Sequence, residues 1–571
     1  MEQGRDTSAD QEPLAQQSTL AERIAQLEAL VLQQQAAIAA YQEQLERQHE
    51  QLVLLKRALF SSRRERYLPS PDQRLLFPSP SVELPSGDED AAAGRGDEES
   101  TPAAPVRPAA ARSRGKKFVF PEGLPLRRKE YPLAPEQQAC SCCLQPRVVI
   151  NEQVTRQLEL EPAQAYVVEH VRFTYACPKC RSGEQVQTSG KPPLPIEKSP
   201  FGPSVLATIA VDKYARHLPL YREQEHLLGP LRTWLSRSLL CRLVRGTAEA
   251  LRPLADRLLE LIVSSLVIQA DETTVRYLSS LSDKALLGYF WGFAGDGDHR
   301  YVAFDFQASR GREGPRAILA GYQGYLQSDG YSVYESLVRE GAARLVHVAC
   351  WAHARRKFDE ALCTTSHPLL HEALAAIGQL YDVEDRAASM AHDERRELRQ
   401  TESRPILVRL NERLIASRGA LRPSSKLGEA VEYALARWPS LLRYLDDGRL
   451  AIDTNHLERQ FRPIAVGRAN WLFLGRDTAG PTAAIMYSVI QSARLNQVDV
   501  LPYLTDVLRH LPAVAAGDKA GIDQFLPDRW LTAHPQHRLI ERERESRQVQ
   551  NRRKTRRAAR RAANYAPVSN R

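Results

Sequence analysis

The sequence predicts an α/β protein, and three observations carry that prediction. From "SLVIQADET" onward, short apolar runs rich in β-branched and aromatic residues recur at close intervals, which is the texture of strands. The later runs are separated by amphipathic stretches, as parallel strands require, because such strands cannot be joined by a tight turn. Two of the runs, "SLVIQADET" and "GYLQSDGY", close on carboxylates, Asp271 and Asp329.

The chain has 571 residues, 43% hydrophobic and 26% charged, so at ~150 residues per domain it holds several units. The net charge of +9 is uneven. "SGDEDAAAGRGDEES" is acidic, whereas "NRRKTRRAARR" is a basic arm suited to nucleic acid. The first twenty residues are polar and no apolar run approaches the ~20 residues that span a bilayer, so a cytoplasmic protein without membrane contact is expected. Eight cysteines are too few for a disulfide framework in a chain this long.

Residues 18–67 predict a coiled coil. Ile24, Val31, Ile38, Leu45, Leu52 and Leu59 hold one heptad position, and Leu20, Leu27, Gln34, Tyr41, Gln48 and Leu55 the other. Thr19 and Glu22 supply a capping box at its start. The expected product is a homo-oligomer, with Gln34 and Gln48 restricting register. The cluster Arg63, Arg64 and Arg66 follows the zipper, the reverse of the order in a basic-zipper protein. Residues 68–117, rich in Pro, Ala, Gly, Ser and charge, predict a disordered linker.

Residues 118–195 predict a zinc-binding ribbon. Cys140 and Cys143, with Cys177 and Cys180, form two C-x-x-C pairs, each able to grip one edge of a tetrahedral Zn2+ as thiolates. "VVINEQVTRQLEL" and "AYVVEHVRFTYA" read as hairpin strands between them. The gap between the pairs exceeds the common ~15 to 20 residues, and Cys142 competes with Cys143. Buried free cysteines are the competing reading. With four protein ligands the zinc would be structural.

Residues 196–262 predict helices, with a break at Gly229 and Pro230. Lys213, Arg216, Arg222, Arg237 and Arg242 fit either a helix-turn-helix-like DNA-binding unit or a solvated basic face.

Residues 263–500 then read as three strands, a helix, a strand ending at Asp329, a helix, a fifth strand and a basic helix. That is the order of a ribonuclease-H-like fold, in which strands one and four lie side by side. Two close carboxylates raise each other's pKa unless a cation neutralises them, and oxygen-only ligands suit Mg2+ or Mn2+. The third acid is sought in "IDTNHLERQFRP". Asn455 and Glu458 have the spacing of a capping box, so a capping role for Glu458 stands beside a metal-site role. Glu272 and Asp305 read as bystanders. Arg355, Arg356, Lys357, Arg459, Arg462 and Arg468 are candidate phosphate contacts, each equally readable as surface charge.

"ADET", "YLQSDGY", "CWAHARRKF", "IDTNHLERQFRPIAVGRANWLFLG" and "YSVIQSARLNQVDVLPYLTDVL" together resemble the bacterial transposases of the insertion sequence 66 family. The likeness extends upstream through "DKYARHLPLYRE", the paired cysteines and "LFSSRRERY", and runs from about residue 18 to 530. It implies a DDE transposase whose acids fall on Asp271, Asp329 and Glu458, holding Mg2+ or Mn2+. Separations of 58 and 129 residues between successive acids imply a helical insertion at about 365–445. Cys350 and His353 match a C-x-x-H element of such families, read as a buried core pair in preference to a second metal site. The family usually shows a second asparagine where this chain has Thr454.

The expected architecture is therefore a ribonuclease-H-like catalytic domain with a helical insertion, preceded by a coiled coil, a zinc ribbon and a helical DNA-binding region. A C-terminal helical segment (501–535) and a basic disordered tail (536–571) follow. The expected activity is binding of terminal inverted repeats in double-stranded DNA, then metal-dependent cleavage and strand transfer, with helper proteins of the same element as further partners. The alternatives are a zinc- and coiled-coil-containing DNA-binding protein, a catalytically silent relic, or a nuclease that cuts without joining.

Overall fold

The strand signals between the cysteine pairs fold back on one another. The computed structural model describes residues 120–540 apart from 121–122, 162–163, 180–185, 280–283 and 341–344, together with parts of 23–48 and 542–555. Leu126–Tyr131 (β1), Val148–Glu161 (β2), Gln164–Ala176 (β3) and Gln187–Thr188 (β4) form one sheet in the order β1-β3-β2, with β4 on β3. Along β3, Ala165, Val167, Glu169 and Val171 are buried and the residues between them are not, the two-residue period of a half-covered strand.

Pro203–Tyr214 (α1), Leu220–Leu231 (α2) and Arg237–Val263 (α3) follow. The break expected at Gly229 and Pro230 comes later: α2 runs on to Leu231 and the chain reverses at Arg232, whose φ is 51°. Leu227 and Leu231, one helical turn apart, are both buried, so packing of that last turn outweighs the hydrogen bond that Pro230 cannot make. Of the five basic residues expected on a helical face, Lys213 is buried and Arg216 is bound to the Asp212 carboxylate, while Arg222, Arg237 and Arg242 are exposed.

The second sheet is the mixed α/β core. Val267–Leu278 (β5), Ala285–Ala294 (β6) and Val302–Gln307 (β7) are antiparallel neighbours. After Glu313–Ile318 (α4), Gly324–Ser328 (β8) pairs in parallel with β5; after Ser332–Glu340 (α5), Leu345–Ala349 (β9) pairs in parallel with β8. The order is β7-β6-β5-β8-β9. The first strand does not end at Asp271 as expected. "TTVRYL" carries it to Leu278 against β6, because β-branched and aromatic residues sustain the hairpin beyond the point where β8 stops.

Trp351–Leu362 (α6) leads into a helical layer of Pro368–Ala387 (α7), His392–Leu398 (α8), a π-helical turn at Arg399–Ser403, Arg404–Arg418 (α9), Lys426–Ala436 (α10) and Trp438–Leu442 (α11). Its core joins Trp351, Phe358, Leu370, Ile377, Leu410 and Leu441. The chain returns to the sheet through Asn455–Gln460 (α12), Arg462–Trp471 (α13), Ala479–Leu495 (α14) and Val500–His510 (α15). α14 covers the free edge of β7: Ser488 Oγ accepts from Phe304 N at 2.8 Å, and Ser492 Oγ accepts from Val302 N and donates to Val302 O. Two serines one turn apart thus occupy edge groups that would otherwise invite another strand.

By contacts the chain divides into residues 1–118 with 363–365, and the remainder. In the first unit, residues 27–38 are helical, and heptad residues Leu27, Val31 and Ile38, with Tyr41 and Leu45 beyond, are exposed. Leu20, Ile24, Leu52, Leu55, Leu59, the cap at Thr19 and Glu22, and the linker lie outside the described residues. The basic tail departs from expectation, since every described residue between 542 and 555 is helical. Its run of Glu, Arg and Gln has high helix propensity, with opposite charges three and four apart.

Candidate active site

Gln269 on β5 and Gln327 on β8 form the last pair of the parallel ladder, and Asp271 and Asp329 each lie two residues further on. A strand's side chains alternate with period two, so each aspartate shares the face of its glutamine, at the point where the two strands part. Asp271 Oδ1 accepts from Glu272 N at 2.8 Å, and Asp329 Oδ1 accepts from Tyr331 N at 2.9 Å. Burial pushes the Asp271 carboxyl up to about 8, and the charges of Asp329, Glu272 and Glu458 push the same way. Asp329 and Glu458, from separated segments, thus act on Asp271 together with its chain neighbour Glu272. Glu272 is held by Arg310 at 2.6 Å and by the Tyr334 hydroxyl at 3.2 Å.

Glu458 lies in the first turn of α12, but the capping box expected there does not form. Asp453 takes the capping place: its Oδ1 accepts from Asn455 N at 3.1 Å, and the Asn455 side chain turns back to Asp453. A second cap comes from across the fold, Gln269 Oε1 accepting from Leu457 N at 3.3 Å. With those N–H groups occupied by other acceptors, Glu458 is released from a local task. Its carboxylate faces His353 Nε2 and Arg356 Nη2, each at 3.7 Å, and its buried Oε1 has no hydrogen-bond partner among the described residues.

Cys350 and His353 sit at the start of α6. Cys350 is buried and accepts from both the backbone and the hydroxyl of Thr454, so it fastens the loop that precedes α12. Burial, and then the Arg356 charge, hold the His353 imidazole below its usual range. Of the expected phosphate contacts, Arg355, Lys357, Arg459 and Arg462 are exposed, while Arg356 turns toward Glu458. Arg468 Nη1 donates to Thr274 O at 2.6 Å, tying α13 to β5. Gln269 and Gln327 escaped the sequence reading, although "QADE" and "QSDG" repeat one pattern, a glutamine two residues before each acid.

In the ribbon, the thiols of Cys140, Cys143 and Cys177 lie within 4.8 Å of one another, with Cys143 and Cys177 Sγ 3.1 Å apart. Backbone N–H groups of Cys143 and Cys142 aimed at the Cys140 thiol lower its pKa, as a metal-binding thiolate requires. The sequence gap between the pairs is long because β2 and β3 are themselves long. Cys180 lies outside the described residues. Among the described residues no other group of three or more Cys, His or acidic ligands is gathered this closely.

Residues 198–482 match the model described as "Transposase IS66 family", residues 137–181 that of the "zinc-finger binding domain of transposase IS66", and residues 47–128 "Transposase C of IS166 homeodomain". This chain belongs to the IS66 transposase family. Similar proteins occur in Sinorhizobium fredii. The uncharacterized protein y4jD is 32% identical over 71% of this chain and 80% of its own length. The uncharacterized proteins y4hP and y4qI are 31% and 34% identical over 77% and 68% of this chain, and over 82% and 73% of themselves. Family membership makes this IS66-type protein a DNA-binding, DNA-cleaving transposase with a structural zinc finger. No helix among its described residues is long and apolar enough to cross a membrane.

Proposed function

We propose that Asp271, Asp329 and Glu458 are the acids of a DDE transposase site on a ribonuclease-H-like core, and that the protein cuts and joins the ends of its insertion sequence. The observation that carries this reading is that Asp271 and Asp329 follow side by side from the last pair of the β5–β8 ladder, with the charges of Asp329 and Glu458 both raising the Asp271 carboxyl. Such a cluster is unfavourable without a cation, and the buried Glu458 Oε1 and the raised Asp271 carboxyl fit a divalent ion with oxygen ligands. When bound, Mg2+ or Mn2+ would supply Lewis-acid activation of an attacking oxygen and neutralise charge on the departing one.

The protein's own part is to hold DNA and exclude misalignment. Arg355, Lys357, Arg459 and Arg462 would meet phosphates, making affinity steeply salt dependent. Water attacks the phosphodiester at the element's end and frees a 3'-hydroxyl. That hydroxyl attacks target DNA, and one phosphodiester is exchanged for another with no covalent enzyme intermediate. The exposed heptad seam supports pairing of two ends through a homo-oligomer, with terminal inverted repeats as the recognised DNA and element-encoded helpers as further partners.

The test is strand transfer of a labelled element end in Mg2+ or Mn2+ by the wild type and by Asp271→Asn, Asp329→Asn and Glu458→Gln, with DNA binding followed alongside. All three variants are expected to bind yet to lose cleavage and joining by at least ~10²-fold. Retained activity in Glu458→Gln would remove it from the triad.

A further inference from the structure

We propose that Gln269 and Gln327 are positioning residues that set Glu458 against the two aspartates, a reading that rests on the three-acid site proposed above. The two side chains form a bridge across β5 and β8. Gln269 Nε2 donates to Gln327 Oε1 at 2.9 Å and to the carbonyl of Asp453 at 3.1 Å. Gln327 Nε2 donates to the carbonyl of Ala451 at 2.6 Å, and Gln269 Oε1 accepts from Leu457 N at 3.3 Å. Both are buried, Gln327 completely.

The three bonds to the returning chain span more than a hundred residues of sequence, yet all end within residues 451–457, the segment that immediately precedes Glu458. The same strand pair carries Asp271 and Asp329 two residues beyond the bridge. One rigid connection therefore fixes all three acids in a common frame. The helical layer of α7 to α11 intervenes between Asp329 and Glu458 in sequence, so local structure cannot supply that frame. A side-chain amide suits the task because it donates and accepts at once without adding charge beside three carboxylates. The burial matters too, since a buried amide stripped of these partners would itself be destabilising.

The test uses the full chain with its zinc, and Mn2+ as the probe, titrated by electron paramagnetic resonance without DNA. Gln269→Met, Gln327→Met, Glu458→Gln and each glutamine variant combined with Glu458→Gln are compared with wild type. Thermal melting and binding to a duplex are measured in parallel. Loss of a supporting hydrogen bond behind a metal ligand typically weakens affinity ~10- to 100-fold. Each glutamine variant is expected to weaken Mn2+ binding by about tenfold, while still melting cooperatively and binding duplex. In the Glu458→Gln background the glutamine changes are expected to add nothing, because their effect passes through that carboxylate. Gln327→Met leaves the Leu457 cap intact and carries the test if Gln269→Met does not fold.

Unchanged Mn2+ affinity in the glutamine variants, with Glu458→Gln weakened, would overturn the positioning role and leave the three-acid site standing. Losses that multiply with Glu458→Gln would also overturn it. If Glu458→Gln itself leaves Mn2+ binding unchanged, the site reading and this inference fall together.

Discussion

The Cys350 thiol receives two hydrogen bonds from Thr454, 104 residues downstream, one from the backbone N–H and one from the hydroxyl, both at 3.3 Å. The same junction is closed by Trp351 N donating to Ile452 O at 3.1 Å. The start of α6 is thereby fastened to the loop that leads into α12 and Glu458. This gives the C-x-x-H element a structural task, with its cysteine inside and its histidine against Glu458.

Burial pushes the Cys350 thiol up to about 11. A thiol so protonated and enclosed is a poor nucleophile. Brief iodoacetamide treatment of the native protein, read by peptide mass spectrometry, is expected to leave Cys350 unmodified while the exposed Cys142 and Cys241 react when they are not engaged by metal. Cys350 should label fully in denaturant. Native labelling at a rate comparable to Cys241 would contradict the enclosed junction.

Much of the second sheet was legible because "SLVIQA", "LGYFWGFA" and "ARLVHVA" are apolar runs of strand length, and a run needs no distant partner to be read. The aspartates were legible for the same reason, as charges closing such runs. The cap was not. Asn455 and Glu458 satisfy a local rule, but Asp453 takes the Asn455 N–H and the Thr454 carbonyl takes the Glu458 N–H, while Gln269 caps Leu457 from 188 residues away. Pro230 was misread in the same way, local grammar yielding to the burial of Leu227 and Leu231. The described residues of 542–555 reverse the lesson: there a charge count suggested disorder while propensity favoured helix.

Arg399 is fully buried in the π-helical turn. Its guanidinium binds Glu384 in bidentate fashion at 2.7 Å and donates to the carbonyls of Tyr444, Asp447 and Leu450. All five N–H donors are used, so a lysine cannot substitute. Arg399→Lys and Arg399→Met are expected to lower stability by about 3–5 kcal/mol, because Glu384 is left without its partner and three carbonyls without donors. Urea unfolding followed by the fluorescence of Trp351 and Trp438, which pack edge to face in this layer, measures it. A loss below ~1 kcal/mol would place Arg399 among ordinary surface ion pairs.

Glu223 is wholly buried on α2, beside the Asp212 carboxylate. Burial first, and the Asp212 carboxylate beside it second, push it up to about 9. The folded state thus keeps a proton that the unfolded state releases near 4.5. Below the unfolded value both states are protonated and the group is neutral in its effect. Between 4.5 and about 9 the unfolded chain binds fewer protons, so this group's contribution to stability falls as pH rises, by up to ~1.4 kcal/mol per pH unit. Glu223→Gln should melt higher than wild type at pH 8.5 and close to it at pH 5. Parallel melting curves across that range would rule out the protonated form.

The ribbon makes the most localised expectation. Its far end is anchored to the core: Gly202 N donates to Leu158 O at 2.8 Å, Ser204 Oγ donates to Glu159, and Leu158, Val167 and Val171 are buried. At the cysteine end Val148, Val149 and Ile150 are about half exposed and Tyr175 is the buried aromatic opposite them, so less apolar burial holds the strands there. Zinc supplies what packing does not, because thiolates drawn to one ion close the hairpin's open end. Removing zinc with a mercurial and a chelator, or through Cys140→Ser, should therefore fray the hairpin from one end only. Hydrogen exchange by mass spectrometry is expected to speed up over residues 138–153 and 172–178. Peptides covering 156–159, 165–171 and the strand pair of Gln269 and Gln327 should keep their protection. Uniform loss across β2 and β3 would mean that zinc, not the contact with α1, holds the whole ribbon. No change anywhere would mean that the three gathered thiols bind no structural ion.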